Sequence, residues 1–285
     1  MGASELDVMV IHHRTPALLR ECLGHLRRHA PWARVSVIDT DASAPWAQLD
    51  WIGREFAGVC VRRSDGHSFS RAVNDALKAS TRPFVCHMNA DVMVGAGTLE
   101  ALLAAAQAPA VAMVGPRCRT PSGRWQAQGL GYGRYYRRLE RGAASTPVPW
   151  LSGCMQLVKR EAVLAVGGMD ETLRFYNEDM EWCWRLRRAG YRCLLVKAEV
   201  LHLGGSSTPS DARFLVEGYR GGYVLSRRYR SRPYRLLHHL VVRGEAAFRA
   251  RFDRDPIRRE AYRRIQGLFD EQAFDESPFG ATLSE

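Results

Sequence analysis

Phe84-Val85-Cys86-His87-Met88-Asn89-Ala90-Asp91 joins an apolar run of strand length to two oxygen-bearing side chains one residue apart. Working outward, Leu6–Ile11 is another short apolar run, and Pro16 then opens a segment with apolar residues at Leu18, Leu19, Cys22, Leu23 and Leu26, which is helical spacing. Val35–Ile38 is a strand ending at Asp39, and Val59–Val61 is a third strand. Phe69, Val73, Ala76 and Leu77 return to helical spacing before the strand Phe84–Met88. Downstream, Ala96–Ala106 is helical by propensity and Val111–Val114 is strand-like. Strands alternating with helices predict an α/β fold with a mainly parallel sheet and helices on both faces. Ligands bind such sheets beyond the carboxyl ends of the strands, where Asp39 and Asp91 stand.

From Pro116 to Pro149 the pattern weakens into glycine-rich, basic and aromatic sequence, read as hairpins or a mobile loop. Trp150–Val158 then reads as a strand, Arg160–Val166 as a short helix stopped by Gly167-Gly168, and Glu178–Ala189 as a helix ended by Gly190. Strands follow at Cys193–Val196 and Val200–Leu203. After Pro209 the chain reads as helical, basic and amphipathic to about Phe269.

The 285 residues can bury a full core, as one large domain or one with a smaller appendage. Charged residues make up an ordinary 25%, yet the net charge is +11, with arginine densest at Arg134–Arg141 and from Arg227 through Arg235 toward Arg259. Such a surface attracts phosphate in nucleotides, lipids or nucleic acid. No zinc-finger spacing and no aromatic RNA-binding signature accompanies it, so nucleic acid is not expected. The seven cysteines are scattered without metal or redox spacing, which fits a reducing compartment. No basic-then-apolar leader opens the chain and its longest apolar region, Leu99–Val114, is interrupted by Gln107 and Pro109, so the expectation is a cytoplasmic protein with at most peripheral membrane contact.

Asn89 and Asp91 point the same way on an extended segment and can share a divalent cation, although an Asx-turn closing the strand explains them as well. His202, at a strand end before Gly204-Gly205-Ser206-Ser207, would add an imidazole suited to Mn²⁺; a hydrogen-bonded surface histidine is the plainer alternative. Asn177-Glu178-Asp179 opens an aromatic helix. Asn177 is a good N-cap and acids there suit the helix dipole, but the same position can aim a carboxylate into a cleft as a general base.

These blocks together resemble a family 2 glycosyltransferase with the GT-A fold, in its rhamnosyltransferase-like branch. The resemblance runs from about Leu6 to Ser207. Val37-Ile38-Asp39 with Ser43 is similar to the family's nucleobase-binding turn, and Gly66, Phe69, Ala72 and Asn74 to its glycine and asparagine motif. Asn89-Ala90-Asp91 stands at the Asp-x-Asp metal motif. Trp150-Leu151-Ser152-Gly153-Cys154-Met155 resembles the acceptor-side block, and Glu178-Asp179 with Cys183-Trp184-Arg185-Leu186 the base helix.

The resemblance implies inverting, metal-dependent transfer of a sugar from a nucleotide-diphosphate donor to a glycan or lipid-linked acceptor in surface polysaccharide or glycoconjugate synthesis. Donor contacts would come from His12, Arg14, Asp39, Asn74, Asn89 and Asp91, and the cation, Mn²⁺ or Mg²⁺, would be held by Asp91, His202 and Asn89. Trp150, Ser152, Gly153 and Glu178 would meet the acceptor, with Asp179 as base. It also implies a catalytic domain at 1–207, donor-binding to about 115 and acceptor- and base-bearing from about 116, with a helical extension at 208–285 packed on it. The basic helices are expected to reach anionic membrane near a lipid-linked acceptor. The oligomeric state stays open, a homodimer included. Asn89 replaces the usual first acid, and His12-His13-Arg14 a common Tyr-Asn. The processive synthases' glutamine-led arginine-tryptophan motif is missing near Leu225–Tyr229, so one sugar per encounter is expected. A non-catalytic nucleotide-sugar or glycan binder and a sugar nucleotidyltransferase remain as alternatives. The second wants a glycine-rich, lysine-bearing loop where His12–Pro16 stands.

Overall fold

The computed structural model describes residues 5–41, 43, 45–64, 68–126, 131–204, 211–271 and 273–280. Gly66, Gly129, Gly205, Ser206 and Ser207 lie outside the described residues. The chain forms two compact units: Met1–Met169 with Trp182–Ser207, and Asp170–Glu181 with Thr208–Glu285.

The first unit opens with β1 (Leu6–His12), α1 (Pro16–His29), β2 (Arg34–Asp39), α2 (Asp50–Glu55), β3 (Cys60–Arg63), α3 (Phe69–Ala79) and β4 (Phe84–Asn89). Every residue of β1 is buried, because it lies in parallel register between β2 and β4. Alternate side chains feed opposite cores. Val8 and Val10 pack with Leu19, Leu23 and Leu26 of α1, while Met9 and Ile11 pack with Ala72, Val73 and Ala76 of α3. Helices therefore cover both faces, as a run of continuous apolar strands requires. Pro16 starts α1 at its first turn, and the Ser68 hydroxyl caps α3 by accepting from Arg71 N–H.

The remaining elements are β5 (Val92–Val94), α4 (Thr98–Ala106), β6 (Val111–Arg119), α5 (Gly133–Glu140), β7 (Ser145–Pro147), β8 (Met155–Lys159), α6 (Arg160–Val166), α7 (Glu178–Arg188) and β9 (Arg192–His202). The sheet order is β3-β2-β1-β4-β8-β6-β9-β5, with β7 also on β9. Strands β3-β2-β1-β4 and the pair β6-β9 are parallel; β8 runs antiparallel between β4 and β6. The chain leaves β4 at Asn89, turns at Ala90-Asp91, and places β5 beside the far end of β9, with Val92 opposite His202.

Three local readings are corrected. The 116–149 stretch holds the end of β6, α5 and β7. Tyr132, Tyr136 and Leu139, spaced as one helical face, are buried there. Trp150–Cys154 is irregular, and the strand starts only at Met155. Strand β9 runs on through Lys197–Glu199, where its pairing with β6 shifts register between Gly115 and Arg117, and Arg117 and Arg119 of β6 both pair with Glu199 beyond the shift.

The second unit contains α8 (Ala212–Tyr229), α9 (Arg232–Phe252) and α10 (Pro256–Glu271), around a core of Val216, Val242, Ala246, Tyr262, Ile265 and Phe269. Residues Asp170–Glu181 belong with these helices. Arg220 and Glu217 of α8 form a buried pair; Arg220 also donates to Thr172 O and Phe274 O, and Glu217 accepts from Arg174 N–H and Ser277 Oγ. Every charge in that network has a partner, the condition under which a buried ion pair orders a loop.

Candidate active site

Asp39 is the last residue of β2 and Asp91 lies just past the end of β4, at the carboxyl edge where open α/β sheets bind ligands. Asp39 is buried. Its Oδ1 lies 3.0 Å from His12 Nδ1, and Thr15 N–H donates to His12 Nε2 at 3.1 Å. That second bond assigns the proton to Nδ1, so His12 donates to Asp39 and both its ring nitrogens are engaged. Arg63, at the end of β3, lies 3.6 Å from the other oxygen of Asp39 and 4.3 Å over the Trp46 ring. Arg14, at φ 52°, holds Asp41 through Nε at 2.7 Å and reaches Ser43 Oγ. The Asp41 carboxyl is held well below the usual range by the Arg14 hydrogen bond.

Asn74, expected at the donor, engages the backbone instead. Its Nδ2 donates to Met169 O at 2.9 Å and its Oδ1 accepts from Met169 N–H at 2.8 Å. The amide imitates a peptide group in a ladder, tying α3 to the turn after α6.

Asp91 is buried, with Oδ2 accepting from Gly204 N–H and its backbone O from Leu203 N–H. The β5–β9 register brings His202 Nε2 to 3.4 Å from Asp91 Oδ1, while Nδ1 lies 2.7 Å from Gln126 Oε1. Burial opposes charge on His202, but hydrogen bonds to Asp91 and Cys154 outweigh it and raise the imidazole to about 10. With Nδ1–H held by the Gln126 amide oxygen, His202 would offer Nε2 to a divalent cation on giving up that nitrogen's proton, and with Asp91 it would then form an imidazole–carboxylate donor set. Among the described residues no group of three His, Cys, Asp or Glu side chains is placed to hold a metal ion by itself, so further ligands would be diphosphate oxygens, as is usual for such sites. Asn89 ends β4, half-buried.

Trp150, Ser152 and Gly153 lie in the irregular segment before β8. Tyr132 OH donates to Trp150 O, and Ser152 Oγ accepts from Cys154 N–H. His87, buried in β4 and stacked on Trp182, pairs through Nε2 with Gln156 Oε1, and Gln156 Nε2 donates to Leu151 O. Burial lowers the His87 imidazole to about 4, so the ring is neutral and donates.

Glu178 and Asp179 belong to the second unit, at the start of α7. Asn177 does not cap the helix with its side chain: at φ 68° its Nδ2 donates to Gly218 O, because α8 lies against it. Tyr229 OH donates to Glu181, and Arg228 pairs with Asp170. Glu178 is buried, with Oε2 lacking a hydrogen-bond partner; burial and the neighbouring Asp179 charge push its carboxyl well above the usual range. Asp179 is half-buried, and its Oδ1 accepts from Met180 N–H.

Sequence reasoning passed over Arg63, Trp46 and Gln126, and it placed Cys154 only within the acceptor-side block. Arg63 was findable, since it ends a parallel strand. Gln126 carried no signal, because its approach to His202 depends on a long-range turn. The cysteines Cys118 and Cys154, far apart in sequence, stand with sulfurs 3.4 Å apart. All seven cysteines are free.

The sequence pattern described as "Glycosyltransferase like family 2" matches residues 5–217. The N-acetylglucosaminyl-diphospho-decaprenol L-rhamnosyltransferase of Mycobacterium tuberculosis is 32% identical over 234 residues, covering 73% of this chain and 76% of that protein. The pre-mycofactocin glycosyltransferase of the same organism is 29% identical over 205 residues, covering 67% of this chain and 41% of its own length. Among solved structures, GalNAc-T7 with UDP, GalNAc and Mn²⁺ aligns at a TM-score of 0.66 and 15% identity, over 96% of this chain and 58% of that one. Mannosyltransferase PcManGT from Pyrobaculum calidifontis, in complex with GDP-Man and Mn²⁺, aligns at 0.58 and 15%, over 95% and 85%. With a match running from residue 5 to residue 217, the chain belongs to glycosyltransferase family 2, and its fold is GT-A.

Proposed function

We propose that this glycosyltransferase moves a sugar from a nucleotide-diphosphate donor to an acceptor hydroxyl in one inverting displacement. The observation that carries the reading is Asp91, at the carboxyl end of β4 in a family 2 chain, with its carboxylate 3.4 Å from His202. Asp91 and His202, with the Asn89 carbonyl as a weaker ligand, would hold the cation. When bound, Mn²⁺ or Mg²⁺ supplies neutralisation of the charge developing on the leaving diphosphate.

Asp39 and Arg63, with Trp46 behind them, hold the nucleobase side of the donor. His12 keeps Asp39 oriented, and Arg14 fixes the adjoining turn through Asp41. Asn74 acts as a positioning residue for the Gly168-Met169 turn. Trp150, Ser152 and Gly153 meet the acceptor, oriented from beneath by Gln156 and His87. Asp179 takes the proton from the attacking hydroxyl, and Glu178, kept neutral, can donate a hydrogen bond to the acceptor.

Kinship with the rhamnosyltransferase supports a deoxyhexosyl or hexosyl donor and a diphosphate-lipid-linked glycan acceptor, as in surface polysaccharide synthesis, one sugar per encounter. The donor contacts fall before about residue 115 and the acceptor contacts after it, and the reaction runs at the cytoplasmic side of the membrane.

Asp179→Asn is expected to retain a metal-dependent thermal shift with nucleoside diphosphate while losing transfer by about a thousandfold. A panel of uridine, thymidine and guanosine diphosphates with and without Mn²⁺ identifies the base. Turnover of Asp179→Asn near the unmutated rate would remove Asp179 from the role, and an unmutated protein without any metal-dependent shift would remove the cation.

A further inference from the structure

Helix α9 is apolar on two opposite sides. One side buries Val242 and Ala246 in the core of the second unit. The other presents Leu236, Leu237, Leu240, Val241, Phe248 and Phe252, each between 58% and 64% exposed. At the helical repeat these six fall within an arc of roughly 160°, in two patches at 236–241 and 248–252 joined along the same side by the small residues Gly244 and Ala247. A stripe this long on a helix already anchored from behind is built to meet a surface.

The charge around it says which surface. Between Arg227 and Arg264 there are thirteen arginines and four acids, so nine of the chain's eleven net positive charges lie in this segment. Beside the stripe, a groove of about 430 Å³ between α9 and α10 is lined by Arg251, Arg259, Arg263, Gln266, Ala247 and Ala250. Guanidinium groups converging on an open groove suit a phosphate, and the neighbouring aromatic and aliphatic side chains suit acyl chain. A second copy of the chain fits less well, since a two-fold contact through the stripe would set Arg251 and its basic flanks against themselves. No helix among the described residues is long and apolar enough to cross a membrane.

We propose that α9 is an in-plane docking helix for anionic phospholipid membrane, its stripe entering the acyl boundary and the Arg251, Arg259 and Arg263 groove holding a headgroup phosphate. The inference stands apart from the sugar-transfer reading, and its test needs no substrate. Full-length protein is sedimented with vesicles of phosphatidylcholine alone, and of phosphatidylcholine with roughly one third phosphatidylglycerol. The unmutated protein is expected to pellet with the anionic vesicles and stay in solution with the neutral ones. Leu240→Glu with Phe248→Glu, and separately Arg251→Glu with Arg259→Glu, are each expected to weaken binding by about tenfold or more. All four positions are at the surface or groove rim, and an unchanged melting temperature verifies folding. Failure of the unmutated protein to pellet with anionic vesicles at low salt overturns the proposal, as does equal binding to neutral vesicles. So does unchanged binding by both folded double variants. If the stripe variant instead converts a lipid-free dimer into a monomer, the face belongs to a second copy and the membrane assignment fails.

Discussion

At the residue scale, Glu178 and Asp179 differ in surroundings more than in chemistry. Glu178 is buried and its carboxyl is pushed up by burial, then by Asp179. The native state therefore favours its protonated form, and the favourable contribution is full below the unfolded value of 4.5 and is lost as pH rises toward the folded value. A neutral amide escapes that loss. Glu178→Gln is expected to raise the melting temperature by about 2–4 °C at pH 8 and to give no gain near pH 4, read by thermal unfolding at both values. An equal gain at both would show that charge is not the reason. Successive residues on a helix diverge by about 100°, so the Glu178 carboxyl can stay neutral inside while that of Asp179 points elsewhere.

At the element scale, α8 decides how the loop leading to Asp179 is held. It contains Gly218, Gly221 and Gly222, each of which costs about 1 kcal/mol in a helix interior relative to alanine. Gly221 is where the space is needed: a Cβ there would stand 2.8 Å from Asn177 Nδ2. Gly221→Ala, which should stabilise an ordinary helix, is expected here to displace Asn177 and lower kcat by about tenfold or more with donor KM unchanged. Steady-state kinetics checks this, and a more stable, fully active variant would refute it. The same helix shows what was legible beforehand. Strands β1, β2 and β4 and helices α1 and α3 were readable because burial on both faces writes continuous apolar runs and 3.6-residue stripes. Strand β5 was read only as an extended exit from β4, being three residues long. Helix α5 was hidden by glycines around an otherwise regular Tyr132, Tyr136, Leu139 spacing. Asp39, Asp91 and Asp179 could be singled out from their positions at element ends. The true partners of Asn74 and Asn177 could not, because those amides bind backbone carbonyls that carry no sequence signature.

At the scale of the whole molecule, chain order and structural order differ. Residues 170–181 are tied to α8 by Arg174, Asn177, Arg220 and Arg228, so ending the chain after Ser207 would strip this segment of its support. The pH response is likewise set by an interior group. His87 is fully buried with its imidazole lowered to about 4, so its contribution is complete above the unfolded value of 6.5 and disappears as pH falls toward 4. Denaturant unfolding should lose about 3 kcal/mol from this group across that interval. Glu178 acts in the opposite direction, so the comparison is with His87→Leu, expected to be less stable at pH 7 but flatter toward pH 4; parallel curves would contradict it. Asn74 and Gly168 carry a last consequence. An added Cβ at Gly168 would lie 2.1 Å from Asn74 Oδ1, so any side chain at 168 becomes admissible only if the side chain at 74 is shortened first. Positions 74 and 168 thus form one unit of mutational tolerance, in which the order of substitution decides whether a path through sequence space is open.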